Sequence, residues 1–391
     1  MSSPSSIDAS LPTPLKPGES LASLFPVKGN RCYLNNASIG PLAQPVLDAV
    51  MGFLTQVRDT GRNGYPNWCR HLDGPVKARV ARFLGADPNE IAFVKNTTEG
   101  LNHVSNGLDW RMGDNVVLAD IEYPSNVYPW MRQAEQGVAI HWVKAVNGRV
   151  ELADIEAACD RRTRVVAISA VQFATGHRSD LAGLSELCHR RGILLCVDAI
   201  QWCGVLNMDL SQYAIDFLSF GGHKWMLSPI GTGIFWISGQ ALDQIRPTVV
   251  GYHSVDKGEA HMDYALDYRP NAGRFEEALV NMPGLWGLEA SIAIMEQIGK
   301  VEIEEHCLSL AEMAADGLER LGWTVTSPRT RPDSSAIVCF QKKGLSLEDT
   351  HRRMAEQGVD LAIRGSGLRI SPSFYNDRSE IERFLDALPR S

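Results

Sequence analysis

From about residue 90 onward, short apolar runs alternate with helical patterns. Seven runs, at 90–95, 115–120, 138–143, 164–171, 193–198, 216–220 and 232–237, read as strands. Between them, 152–159 and 181–191 carry the spacing of helices. Strands apolar on both faces and joined by helices predict an α/β fold. Its large domain holds a mostly parallel seven-stranded sheet covered on both sides. Ligands of such sheets sit at the carboxyl ends of the strands. Beyond about residue 275 the pattern changes. A long helical stretch at 284–321 precedes short strands at 324–326, 336–341 and 368–371, and helices at 346–357 and 378–388. This predicts a smaller C-terminal α+β domain. The expected division is a Ser/Pro-rich disordered leader over 1–20, a large domain over 21–270 and a small domain over 271–391. Segment 21–40 is expected to pack on the small domain.

Composition narrows the function classes. Of 391 residues, 44% are hydrophobic and 21% charged, an ordinary globular balance. A formal net charge of -8 argues against a nucleic-acid partner. No apolar run approaches the roughly 18 residues that span a bilayer, so no membrane partner is expected. The first 20 residues lack the basic start and apolar core of a signal peptide. The eight cysteines form no C-x-x-C pair and no Cys/His cluster with ligand spacing. That argues against a metal site and for a reducing cytoplasm.

Four segments at strand ends carry candidate chemistry. Lys224 stands in Gly221-Gly222-His223-Lys224-Trp225, directly after an apolar strand. Read alone it is a surface lysine after a turn, but buried segments on both sides weaken that. Asp198 ends the strand at 193–198, with Gln201 three residues on; the alternative is an acid capping the next helix. A lysine and an acid on neighbouring strand ends suit a cofactor with an aldehyde and a basic ring nitrogen, which is pyridoxal phosphate (PLP). The carboxylate would hold the ring nitrogen protonated, and Gln201 could donate to the phenolate. Lys95-Asn96-Thr97-Thr98-Glu99 offers hydroxyls and free N–H groups at a helix start, an anion site for the phosphate; an ordinary capped helix is the alternative. Tyr123, after the strand at 115–120, could stack on the ring or simply pack.

Together, Asn96-Thr97-Thr98-Glu99, Glu122-Tyr123, Asp198-x-x-Gln201, Gly222-His223-Lys224-Trp225 and Leu368-Arg369-Ile370-Ser371 resemble the class V aminotransferase superfamily over about residues 30 to 388. This is a PLP-dependent, fold type I group that includes cysteine desulfurases and isopenicillin N epimerase. The resemblance implies that Lys224 is the Schiff-base lysine and acts as base, with Asp198 on the ring nitrogen and Gln201 on the phenolate. It gives Thr97, Thr98 and His223 to the phosphate and Tyr123 to ring stacking; at the position near the phenolate that often holds an asparagine stands Phe173, with Gln172 adjacent as the candidate cofactor contact. Arg369 would clamp a substrate carboxylate, while Asn35 and Asn36 edge the substrate pocket. A homodimer is also implied, with Tyr252, His253 and Arg274 reaching the neighbour.

Three departures matter. Ile363-Arg364-Gly365-Ser366-Gly367-Leu368-Arg369 has no persulfide-forming cysteine and little room for the loop that carries one in desulfurases. Gly221 replaces a frequent phosphate-binding serine. Leu279 follows Arg274-Phe275-Glu276 where relatives often place a threonine that crosses the dimer interface. Phosphate anchoring through Ser219, Asn281 or water is the expected substitute. The expected function is therefore a PLP enzyme that labilises the α-carbon of an amino-acid substrate. Elimination of the C–S lyase type or epimerisation comes first, and transamination second. A binding module without turnover is the alternative. A nucleotide-binding α/β protein is disfavoured, because no G-x-G-x-x-G or G-x-x-x-x-G-K-[ST] follows a strand.

Overall fold

The computed structural model describes residues 21–257 and 262–389; the leader expected over 1–20 lies outside the described residues. The seven expected strands form, each within two residues of its predicted ends. They are β1 (Ile91–Val94), β2 (Asn115–Ala119), β3 (Ala139–Val143), β4 (Thr163–Ser169), β5 (Leu194–Asp198), β6 (Phe217–Gly221) and β7 (Gly233–Ile237). They make one sheet in the order β1-β7-β6-β5-β4-β2-β3. Only β7 runs against the others, pairing antiparallel with both β1 and β6. The reason is the one the sequence offers. Val117 and Ala119 pack into one apolar cluster and Val116 and Leu118 into another, so both faces are covered.

The helices that bear on the site are α1 (Gln44–Thr60), α2 (Thr97–Gly107), α3 (Leu181–Arg191), α4 (Met282–Ile298) and α5 (Lys300–Arg320). The single helical stretch expected over 284–321 is two helices. Gly299, at φ 97°, breaks it in a conformation that side chains disfavour. α4 lies against α1, with Trp286 and Phe53 ring centroids 4.6 Å apart.

The C-terminal sheet contains β8 (Thr324–Val325), β9 (Val338–Gln341), β10 (Ala362–Arg364) and β11 (Gly367–Ile370), in the order β10-β11-β9-β8. β10 escaped sequence reading because three residues are too few to show a period of two. Gly365 and Ser366 alone join β10 to β11, with Gly365 at φ 54°. Near the N-terminus, Cys32–Tyr33 pairs in parallel with Val359–Asp360. Cys32 and Leu34 thereby join the apolar cluster of Phe340, Leu368 and Ile370. Residue 35 onward is delivered to the place where the two sheets meet.

Gly299→Ala forces an alanine to positive φ at the α4–α5 break. It should lower stability by about 1–3 kcal/mol, read as a reduced urea midpoint with an unchanged slope.

Candidate active site

Parallel strands put their carboxyl ends on one edge of the sheet, and the four candidate segments follow β1, β2, β5 and β6 there. Lys224 lies three residues past β6, in a turn fixed from several sides. The Gly40 N–H donates to the His223 carbonyl at 2.8 Å, and the Leu227 N–H donates to the Lys224 carbonyl at 3.1 Å. Trp225 Nε1 donates to Gln201 Oε1 at 2.7 Å, and the Ser291 hydroxyl donates to the Met226 carbonyl. Gly40 must be glycine, because a Cβ there would stand 2.2 Å from the Lys224 carbonyl oxygen. The result is a buried amine, with Nζ 5.6 Å from the centroid of the Tyr123 ring. Burial pushes Lys224 below the ordinary lysine value against the pull of Asp198, and Arg369 and Arg364 push it the same way as burial.

Asp198 closes β5, between Ser169 of β4 and Ser219 of β6. Its carboxylate is fully buried and accepts a backbone bond from Ile200 at 3.0 Å. Burial raises its pKa, Glu122 adds to the rise, and the Ile200 N–H and Lys224 oppose it. Gln201 is more committed than the sequence implies. One amide N–H donates to the Ala37 carbonyl at 3.0 Å, and its oxygen holds Trp225. It therefore ties the N-terminal segment to the lysine turn, and one N–H remains for a phenolate.

Glu122 is a hub that sequence reading passed over in favour of its neighbour. It is buried, and Ser169 donates to it from both N–H and hydroxyl. Asn126 Nδ2 donates at 2.9 Å and Gln172 Nε2 at 2.6 Å. Burial raises the Glu122 carboxyl while these donors pull it back. Gln172 is thus turned with its nitrogen toward Glu122, leaving its buried Oε1 without a hydrogen-bond partner. Tyr123, next in the chain, meets Phe173 edge-on at 5.0 Å. Trp130 and Trp286 are core side chains.

On the phosphate side, the capped-helix reading and the anion-site reading coexist. Asn96 caps α2 by accepting the Glu99 N–H at 3.0 Å. Thr97, at the first turn, is buried with its hydroxyl unpartnered. Thr98 donates to the Ser125 hydroxyl at 2.8 Å. The substitutes expected for the missing serine are otherwise engaged. The Ser219 hydroxyl lies 3.1 Å from the Thr97 carbonyl and 3.2 Å from that of Ile234. Asn281 donates to Gly231 at 3.0 Å and caps α4. A Cβ on Gly221 would stand 3.0 Å from the His223 imidazole, so in this chain the ring crowds the place a serine side chain would take.

Residues from both sheets gather around Arg369. Arg369 on β11 is 1% exposed. Its Nη1 donates to the Phe173 carbonyl at 2.8 Å and its Nη2 to the Ser38 hydroxyl at 2.9 Å. Burial, then Arg364, pushes it down to about 10. Asn35 reaches this group by accepting from the Ser38 hydroxyl at 2.7 Å. Asn36 does not: it donates to the Ser371 carbonyl at 2.9 Å and accepts from the Tyr375 hydroxyl at 2.8 Å. Ser38, Arg364 and Cys339 were missed. Cys339 is the cross-strand neighbour of Arg369, and a turn of two residues between period-two strands puts Arg364 and Arg369 on one face.

These residues fit PLP. A buried carboxylate with a single hydrogen-bond donor among the described residues suits a protonated ring nitrogen. An unpartnered threonine hydroxyl at a helix start suits a phosphate. A buried amine facing an aromatic ring suits the aldehyde end. Such an arrangement defines a PLP-dependent enzyme built on fold type I. The chain belongs to the family described as aminotransferase class-V, whose model matches residues 32–384. It is 32% identical to a probable cysteine desulfurase of Methanothermobacter thermautotrophicus, over 93% of this chain and 95% of that protein. A second similar protein, a probable cysteine desulfurase of Pyrococcus abyssi, is 29% identical over 93% of this chain and 95% of its own. Among solved structures, an apo cysteine desulfurase from Thermococcus onnurineus NA1 superposes with TM-score 0.86 at 26% identity, covering 94% of this chain and 96% of that one. The cystine C–S lyase C-DES, in complex with its product cysteine persulfide, gives TM-score 0.86 at 25% identity, covering 93% and 98%.

Folding without cofactor buries Asp198 at a cost when it is ionised. Its folded pKa is raised above 3.8, so the folded state holds the extra proton and stability falls as pH rises above the ordinary carboxylate value. In cofactor-free protein, Asp198→Asn should flatten this fall. The gap in urea midpoint between variant and wild type should widen in favour of the variant from pH 5 to pH 7.

Proposed function

We propose that this enzyme eliminates a sulfur group from the β-carbon of an amino-acid substrate and releases the sulfur without parking it on a protein thiol. The observation that carries this reading is the turn beside Arg369. β10 and β11 are joined by two residues, neither a cysteine. The thiol nearby, Cys339, is buried, donates to the Ala174 carbonyl at 3.1 Å and is pushed up to about 11 by burial. A protonated, packed thiol is a poor nucleophile. The likeness to a cystine C–S lyase supports the same class of reaction.

PLP, when bound, supplies an electron sink for the bond breaking at the α-carbon. The chain's own residues do the rest. Arg369 offers a guanidinium fork to the α-carboxylate, which orients the substrate. Lys224 would hold the cofactor, and its buried amine, lowered toward neutrality, is suited to take the α-proton. Asp198 would be the anionic partner of the ring nitrogen, and Tyr123 is the aromatic side chain beside the lysine that would pack on the cofactor. Epimerisation and amino transfer would use the same lysine and are separated by product identity.

A second copy of the chain is the proposed partner. Leu47, Met51, Leu54 and Val57 are exposed at 38–53% and form a stripe along α1 at helical spacing. Tyr252, Val249 and Val250 are further apolar or aromatic side chains left exposed. No helix among the described residues is long and apolar enough to cross a membrane. None of the eight cysteines, all within the described residues, forms a disulfide, which supports a reducing compartment such as the cytoplasm.

The cofactor-loaded protein should absorb in the visible, and Lys224→Ala should lose that band. Incubated with L-cysteine and L-cystine, the wild type should release sulfide or a low-molecular-weight persulfide, and Cys339→Ser should do so within about twofold of wild type. A persulfide trapped on the protein and required for turnover would sink the proposal. A Met51→Glu, Leu54→Glu double variant should shift a dimer to monomer in size-exclusion chromatography; a wild type that already elutes as an active monomer contradicts the dimer.

A further inference from the structure

Two arginines converge beside the lysine, where one would serve an α-carboxylate. Arg369 and Arg364 hold mirrored positions. Each donates Nη1 to a backbone carbonyl at 2.8 Å, that of Phe173 for Arg369 and that of Ile363 for Arg364. Each donates Nη2 to the same Ser38 hydroxyl, at 2.9 Å and 3.1 Å. That hydroxyl spends its own proton on Asn35 Oδ1. One oxygen therefore fixes both guanidinium groups. Neither arginine has a carboxylate within ion-pair distance among the described residues, although most buried cations in proteins do. Arg369 Nε is buried with no hydrogen-bond partner.

Two like charges held side by side repel, and a single substrate carboxylate balances one of them. We propose that Arg364 and Arg369, set by Ser38, form a two-guanidinium site that selects amino acids carrying a second anionic group. Arg369 offers the α-carboxylate its unpartnered Nε–H together with the Nη2 hydrogen that Ser38 leaves unused. Arg364, half-buried nearer solvent, takes the acid at the far end of the side chain. The substrates are thioethers and disulfides of cysteine that end in a carboxylate, and acidic amino acids without sulfur, such as L-glutamate, bind as unreactive mimics. Ser38 acts as a positioning residue, because it touches the two guanidinium groups and fixes them before substrate arrives.

The inference rests on the amino-acid reading above, and the experiment separates the two. Holoenzyme is titrated with matched pairs that differ only in the distal charge: L-glutamate against L-glutamine, and S-carboxymethyl-L-cysteine against S-carbamoylmethyl-L-cysteine. Binding is read from the change in cofactor absorbance and from calorimetry. In at least one pair the acid should bind about tenfold or more tightly than its amide, the worth of one charge-assisted hydrogen bond. Arg364→Gln should erase that difference and leave the amide within about threefold. Equal binding of acid and amide in both pairs overturns the inference, whether or not the variant folds. So does an Arg364→Gln loss that is equal for acid and amide, which would put both arginines on the α-carboxylate. A holoenzyme with no Lys224-dependent absorbance fails earlier, and tells against the PLP reading itself.

Discussion

A buried amine and a buried carboxylate on neighbouring strand ends organise this molecule. Lys224 and Asp198 are both removed from water, and neither has a full set of protein partners. Ionic groups so placed cost several kcal/mol each unless compensated. A cofactor presenting an aldehyde to one and a protonated nitrogen to the other would remove both costs together. Much of the surrounding structure can be understood as the framework that holds these two groups in place. The sheet brings β5 and β6 side by side, Gly40 lets the N-terminal segment press on the lysine turn, and Gln201 links that segment to Trp225.

The same logic reaches the second layer. Glu122 has no contact with Lys224, yet it orients Gln172 and Ser169, and Ser169 pairs with Asp198 across the sheet. Ser38 does for the substrate end what Glu122 does for the ring end: it receives two donors and passes its own proton to Asn35. Both hubs are small polar groups whose hydrogen bonds run between distant segments, and their value lies in fixing geometry ahead of ligand.

Much of the fold was legible because its signals are local. Each strand of the large sheet is an apolar run with a turn at its end, and the order of lysine and acid follows from strand ends alone. The misreadings have local causes too. A single glycine, Gly299, breaks a helix whose apolar pattern runs on unchanged. β10 is too short for periodicity to show. Asn36 looks like its neighbour Asn35 in sequence, but one faces Ser38 and the other the Ser371–Tyr375 segment, a distinction set by contacts more than 300 residues away. Glu122, Ser38 and Arg364 act through bonds between remote segments, which no spacing along the chain reveals.

The central claim is that Lys224 carries the cofactor. Borohydride reduction of the holoenzyme, followed by proteolysis and mass spectrometry, tests it most directly. The account predicts the mass of reduced pyridoxal phosphate on the peptide that holds Lys224 and on no other. An unlabelled Lys224 peptide, or label on a different lysine, would contradict it.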